Sequence, residues 1–113
     1  MSDKATPITI HPDPLEPYAI APAWRVGDLV FLSGQAAIAE DGSIVGPGDF
    51  DAQLAQTFAN IERVLAAAGS DMSKIVKVTI YLTDMALSPR DGCAPATYPK
   101  QTVNVNPMYP QST

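Results

Sequence analysis

The sequence is poor in the residues that build metal centres and disulfides. Its 113 residues include one cysteine, Cys93, and one histidine, His11. One cysteine cannot close an internal disulfide, and together with one histidine it supplies too few soft ligands for a zinc site. No histidine lies near Cys93 in the sequence, so we interpret Cys93 as an incidental thiol and His11 as a surface imidazole. The sequence therefore predicts no metal site.

Basic residues and long apolar runs are also scarce. Seven lysines and arginines stand against twelve aspartates and glutamates, which gives a formal net charge of -5. The basic residues form no stripe, which disfavours nucleic-acid binding through phosphates. No apolar run is long enough to span a bilayer, and the N-terminal "MSDKATPITIHPDP" lacks the apolar segment of a signal peptide. These absences predict a cytoplasmic protein with neither a membrane nor a nucleic-acid partner.

The remaining composition suits one folded domain, which we predict to span residues 1–113. The apolar fraction is 46%, which is enough for a core and too high for a disordered chain. Local patterns predict a sheet with a helix packed on one face, an α+β fold. The predicted elements are a short strand at 8–10, a hairpin turning at Gly27-Asp28 and a turn at Asp41-Gly42. A helix over 51–68, a strand over 75–82 and a last strand in "QTVNV" follow.

The helix has the clearest pattern. Leu54, Phe58, Ile61 and Leu65 are spaced by four, three and four residues, which places them on one face, and we predict that this face packs on the sheet. Gly69 follows at the position where a left-handed residue ends a helix. The polar residues Gln53, Gln56, Asn60 and Arg63 lie mostly away from the apolar stripe.

The strand "LVFL" at residues 29–32 is apolar on both faces. One face is expected to meet the core, and the other needs cover from another element or another subunit. The strand then runs into Ser33-Gly34-Gln35, where a hydroxyl, a missing side chain and an amide follow four apolar residues. Two interpretations remain open from the residues alone: a plain turn, or a strand end that delivers small polar groups to a pocket.

Taken together, several stretches resemble the RidA/YjgF family of enamine and imine deaminases. They are "EPYAIAPAWRVGDLVFLSGQAAI" and "GDFDAQLAQTFANIERVLAAAGSDMSKIVKVTIYLTDM", which cover roughly residues 15–85. The resemblance implies a chorismate-mutase-like α+β fold, a homotrimer with sites between subunits, and no metal or organic cofactor. It also implies hydrolysis of reactive 2-imino acids, such as 2-iminobutanoate and 2-iminopropanoate, or of their enamine tautomers, to 2-keto acids and ammonia.

The resemblance assigns roles to individual residues. Tyr18 and Ser33 would be catalytic, because small hydroxyls can orient a water or polarise the imine nitrogen. Gly34 would let the substrate approach the backbone closely. Taken without the resemblance, Ser33 reads as part of a strand-end turn and Tyr18 as a packed ring with a solvated hydroxyl.

The tail, residues 86–113, departs from the family pattern. Family members continue with a second helix, a strand whose arginine holds the substrate carboxylate, and a strand with a glutamate that positions water. Here "ALSPRDGCAPATYP" shows no helix pattern, and no acidic residue follows Asp91. In "YPKQTVNV", Lys100 stands where the arginine is expected, as a weaker, single-point partner for a carboxylate. The alternative is that the tail is replaced and that the chain is a non-catalytic trimeric module that binds a small carboxylate or a protein partner.

Overall fold

The computed structural model describes residues 4–82 and the backbone of residues 102–107. It divides into two compact units, Met1–Asp71 and Met72–Thr113. The first unit contains strands β1 (Thr6–Ile8), β2 (Ala23–Val26) and β3 (Leu29–Leu32) and helix α1 (Phe50–Ala67). The second contains strands β4 (Lys77–Leu82) and β5 (Thr102–Pro107). Because the helix packs on an antiparallel sheet in the first unit, the predicted α+β class is confirmed.

The sheet of the first unit has the order β1-β2-β3, and both pairs are antiparallel. The predicted hairpin is confirmed, with Gly27 at φ 57°, the positive value that a type II′ turn has at its first central residue. The first strand was misplaced, since it lies at Thr6–Ile8 and not at 8–10. Pro7 is tolerated there because β1 lies at the edge of the sheet formed by the described strands, where proline's missing N–H is least costly.

Helix α1 begins and ends close to where the sequence predicts. The carboxylate of its N-cap, Asp49, accepts a hydrogen bond from the amide of Ala52 at 3.1 Å. Gly69 has φ 76°, and the amide of Ser70 returns to the carbonyl of Leu65 at 2.8 Å. This is the glycine-terminated end that the sequence indicated. The observed helix starts and stops one residue earlier than the predicted 51–68.

The helix contacts the sheet through a face that differs from the predicted one. The core of the first unit contains Ile8, Ala23, Val64 and Ala68, with Ile10, Val30 and Leu32 packed against it. Of the predicted stripe only Leu65 is buried; Leu54, Phe58 and Ile61 are half-buried and lie outside this cluster. The side chain of Arg25 donates a hydrogen bond to the carbonyl of Ala68, which ties the C-terminal end of the helix to β2.

The opposite face of the three-stranded sheet is apolar and exposed. Trp24 pairs with Phe31 and Val26 with Leu29 on that side of the hairpin. Trp24, Leu29 and Phe31 are 42%, 59% and 57% exposed. Strand 29–32 therefore has two apolar faces as predicted, and in the part of the chain that the structure describes no other element covers the outer one.

The second unit confirms two predicted strands. β4 alternates between exposed and less exposed residues. It begins at Lys77, two residues later than the predicted start at 75, and Val76 before it is 74% exposed. β5 covers most of the predicted "QTVNV" strand and pairs with β4 in parallel, with Val78 opposite Val103 and Ile80 opposite Val105.

Candidate functional site

The segment that follows β3 turns away from the sheet, and hydrogen bonds from Ser33 and Gln35 stabilise the turn. The amide of Ser33 donates to the carbonyl of Pro22 at 3.0 Å, and its hydroxyl donates to the carbonyl of Ala21. The amide group of Gln35 donates to the carbonyl of Ser33 at 3.1 Å. Ser33 thus extends the pairing of the hairpin by one residue, and the chain leaves the sheet at Gly34.

A second turn lies directly after this segment. Ile38 and Ile44 form an antiparallel bridge around the predicted Asp41-Gly42 turn, in which Gly42 has φ 88°. The hydroxyl of Ser43 donates to the Asp41 carboxylate at 2.6 Å and its amide donates at 2.9 Å. These two bonds, first the hydroxyl and then the amide, lower the pKa of Asp41. Asp41 is therefore ionised at neutral pH and is a poor candidate for a general acid.

Polar side chains of helix α1 bind both of these segments. The side-chain amide of Asn60 donates to the carbonyls of Ala36 and Ile38, each at 2.8 Å. Arg63, one turn further along, donates to the carbonyl of Pro12, and its Nε lies 3.5 Å from a carboxylate oxygen of Glu40. The polar side of the helix therefore contacts loops that come from both sides of the hairpin.

Two clefts open around these loops. The narrower has a volume of about 50 Å³, room for a few water molecules. Its lining includes Gly34, Gln35, Ala36, Asn60 and Arg63. A Cβ atom added at Gly34 would meet no atom within 4 Å, and the backbone there does not have a positive φ. Neither packing nor conformation within the described residues therefore requires a glycine at the mouth of this cleft.

The wider cleft has a volume of about 400 Å³ and includes Tyr18 in its lining. Tyr18 ends a one-turn 3₁₀-helix, Glu16–Tyr18, and is 71% exposed. Three carboxylates also line the cleft, those of Asp13, Glu40 and Asp41. These carboxylates disfavour the binding of a ligand carboxylate on this side.

The predicted site residues are divided between these two places. Gly34 lines the narrower cleft and Tyr18 the wider one, and the two clefts share Asp13, Pro14 and Ile38. The Ser33 hydroxyl lies between strand ends, bonded to the carbonyl of Ala21, and retains lone pairs that can accept. Lys100 lies outside the described residues. Sequence reasoning missed Asn60 and Arg63, which it placed on the polar side of the helix.

Among the described residues, no three His, Cys, Asp or Glu side chains lie close enough together to hold a metal ion. In the same part of the chain, no helix has the length and apolar character needed to cross a membrane.

The chain is similar in sequence to proteins of one known family. A family model described as endoribonuclease L-PSP matches residues 9–90. The RutC family protein YjgH of Escherichia coli is 44% identical over 62 residues, which is 55% of this chain and 46% of that protein. The chain belongs to the RidA/YjgF family. The resemblance seen in the sequence over residues 15–85 is thereby confirmed.

Solved structures show that the fold is also that of the family. A Rid-family protein, YyfA from Yersinia pestis, superposes with a TM-score of 0.79 at 23% identity, over 93% of this chain and 86% of that one. Yeast Mmf1 gives a TM-score of 0.77 at 22% identity, with the same coverage. At these identities the likeness concerns the fold alone, and it supports the expected fold class.

Among curated sequences, the mitochondrial protein mmf2 of Schizosaccharomyces pombe is 48% identical over 63 residues. That match covers 56% of this chain and 48% of mmf2. The chain thus spans about half the length of mmf2 and of YjgH. The family match ends at residue 90, before Lys100.

Proposed function

We propose that this protein hydrolyses reactive 2-imino acids and their enamine tautomers, such as 2-iminobutanoate and 2-iminopropanoate, to 2-keto acids and ammonia. The observation that carries the proposal is Gly34 in a RidA/YjgF chain: it lines a cleft at a strand end, and nothing within the described residues demands a glycine there. Space left at a backbone position is what a small substrate needs for close approach.

The chemistry asks little of the protein. An imine carbon is already electrophilic, most of all when its nitrogen is protonated, so a positioned water and a proton shuttle are sufficient. The exposed hydroxyl of Tyr18 can orient water or polarise the nitrogen, and the Ser33 hydroxyl can accept a hydrogen bond. Attack by water gives a carbinolamine, which loses ammonia and leaves the 2-keto acid, with no metal or cofactor in the step.

The substrate carboxylate needs a cation, and Lys100 is the candidate that the sequence offers. Lys100 takes the place of the family arginine in the sequence, as a single-point partner. Since the family glutamate is also unrecognisable, we expect turnover to be slower than in a complete family member. Loss of one charge-assisted contact costs about 1.5–3 kcal/mol, or roughly ten- to a hundredfold in rate.

The assay follows trapping of freshly generated 2-iminobutanoate by semicarbazide, with Tyr18→Phe and Lys100→Ala beside the parent chain. We expect measurable acceleration by the parent and a loss in both variants. A rate equal to that of a complete relative would contradict the slow-turnover prediction. If Lys100→Ala hydrolyses the imine at the parental rate, the assignment of the pocket stands but Lys100 does not bind the substrate.

The second candidate is a non-catalytic module of the same fold that binds a small carboxylate or a partner. It is favoured by the sequence after Asp91, which contains no acidic residue and so offers no counterpart of the family glutamate that positions water. Binding of 2-ketobutanoate without any acceleration of imine hydrolysis would select this candidate.

Endoribonuclease activity, suggested by the description of the matching family model, is disfavoured by the net charge of -5. A cytoplasmic location remains a prediction.

We also propose that the protein is a homotrimer in which the exposed face of Trp24, Leu29 and Phe31 is covered by other copies. A standard interface buries on the order of 800 Å² per partner, enough to cover such a face. Phe31→Glu is expected to shift the mass measured by light scattering from three chains to one, whereas Ile44→Glu, at a residue that is 70% exposed and lies outside this face, should not. A well-folded monomeric parent at micromolar concentration would exclude the trimer.

A further inference from the structure

The polar face of helix α1 is not simply a solvated surface. A helix with an apolar stripe normally presents its other side to water. Asn60 instead donates to the carbonyls of Ala36 and Ile38, which precede it by 24 and 22 residues in the sequence. Both distances are 2.8 Å, within the ordinary range for N–H···O bonds.

Both N–H groups of the Asn60 amide have partners, and the orientation of the amide is determined. Nδ2 carries two hydrogens, and it can donate one to each of the two carbonyl oxygens. Its Oδ1 accepts from the side-chain amide of Gln56, one turn earlier on the helix, at 2.9 Å. The nitrogen must face the loop, because two carbonyl oxygens can only accept, and Gln56 supplies a donor on the opposite side.

The two carbonyls belong to the backbone that shapes the clefts. Gly34, Gln35 and Ala36 line the narrower cleft, and Ile38 lines both. The rest of this segment is held by turn bonds, from the Ile38 amide to the carbonyl of Ala36 and from the Val45 amide to the carbonyl of Ala37, each at 2.8 Å. These bonds give the loop its internal shape but do not attach it to the helix.

We infer that Asn60, oriented by Gln56, is a positioning residue that holds residues 36–38 against helix α1 and so sets the shape of the cleft that Gly34 opens. The inference rests on the proposed function of that cleft for its consequence on substrate, but the attachment itself is independent of it. Gln56 does not line either cleft, so it acts on the segment only through Asn60.

The informative variant is Asn60→Asp, which keeps the size of the side chain and turns its donor into an acceptor that faces two carbonyls. Gln56→Ala is the milder second variant, which keeps the test open if Asn60→Asp fails to fold. Thr57→Val is the matched control, because its hydroxyl bonds within the helix, to the carbonyl of Gln53 at 2.8 Å, and contacts no loop through it.

The first measurement is amide hydrogen exchange by peptide, which needs no substrate. In Asn60→Asp the exchange of residues 36–45 should accelerate about tenfold, while the β2–β3 hairpin keeps the protection of the parent and Thr57→Val matches the parent throughout. In the double variant Gln56→Ala/Asn60→Asp no further acceleration is expected, because Gln56 works through Asn60. Unchanged exchange at 36–45, or acceleration spread equally over the hairpin, would overturn the inference.

The second measurement is ligand binding and turnover. We expect Asn60→Asp to raise KM for 2-iminobutanoate, or Kd for 2-ketobutanoate, by roughly tenfold, with a smaller rise in Gln56→Ala. Local acceleration of exchange with an unchanged KM and Kd would overturn the positioning role. A parent that neither binds the keto acid nor turns over the imine would refute the proposed function, and the exchange result would then decide by itself whether Asn60 holds the segment.

Discussion

Gly34→Ala is expected to lower kcat/KM for 2-iminobutanoate by roughly 5- to 150-fold without destabilising the fold. The fold leaves room for the new methyl group, since a Cβ at this position meets nothing within 4 Å. The backbone conformation is one that alanine can adopt, so the free energy of unfolding should be unchanged or higher by about 0.4–1 kcal/mol. The methyl group would instead occupy the space into which a substrate must fit, and such overpacking costs about 1–3 kcal/mol.

Gly46→Ala is the control that separates this effect from a general intolerance of glycine replacement. Gly46 has φ 63°, and a Cβ there would lie 2.8 Å from the Cβ of Ala52. That variant should lose stability and, where folded, retain kcat/KM. A Gly34→Ala protein with parental kinetics would show that the substrate does not approach this backbone. The experiment thus addresses the observation on which the deaminase proposal depends.

The parts of the fold that could be predicted from the sequence are those fixed by local chemistry. Gly27-Asp28 closes the hairpin because a glycine can supply the positive φ of the turn. Asp49 and Gly69 bound helix α1 because one accepts from an amide of the first turn and the other takes the left-handed conformation. Each of these three signals acts over a few residues, so none of them depends on the tertiary packing.

The predictions that failed depended on tertiary contacts. The stripe of large apolar residues on α1 pointed to Leu54, Phe58 and Ile61, but the side facing the sheet carries smaller residues, Val64 and Ala68. The available signal was the spacing of Asn60, Val64 and Ala68 at intervals of four, which places them on one face. An asparagine on such a face reads as solvated until the loop carbonyls that it contacts are known.

The same limit applies to the candidate site. Ser33, Gly34 and Tyr18 were singled out through the family resemblance, and the structure distributes them over two clefts that share part of their lining. Asn60 and Arg63 contact the loops around those clefts at sequence separations of 22 or more. Contacts at such separations follow from how the loops return to the helix, which no local pattern in a single sequence encodes.

Val64→Ala is expected to destabilise the first unit by roughly 2–3 kcal/mol, through loss of two buried methyl groups and the cavity left behind. Val64 is 1% exposed and is the largest fully buried side chain in the part of the chain that the structure describes. Ile44→Ala is the matched control: it removes more apolar volume, but Ile44 is 70% exposed, so the change should stay within about 0.5 kcal/mol. Denaturant melts of both variants measure the difference, and equal midpoints would mean that Val64 is not at the centre of this core.

Val64→Thr separates volume from polarity at the same position. Threonine fills nearly the same space, so the cavity contribution disappears and the remaining cost comes from burying a hydroxyl. Within a helix that hydroxyl can bond the carbonyl four residues earlier, here that of Asn60, which reduces the cost to about 1–2 kcal/mol. We therefore expect Val64→Thr to melt between the parent and Val64→Ala. If it melted below Val64→Ala, the buried hydroxyl would lack this acceptor, and the cost of burying it would exceed that of the cavity.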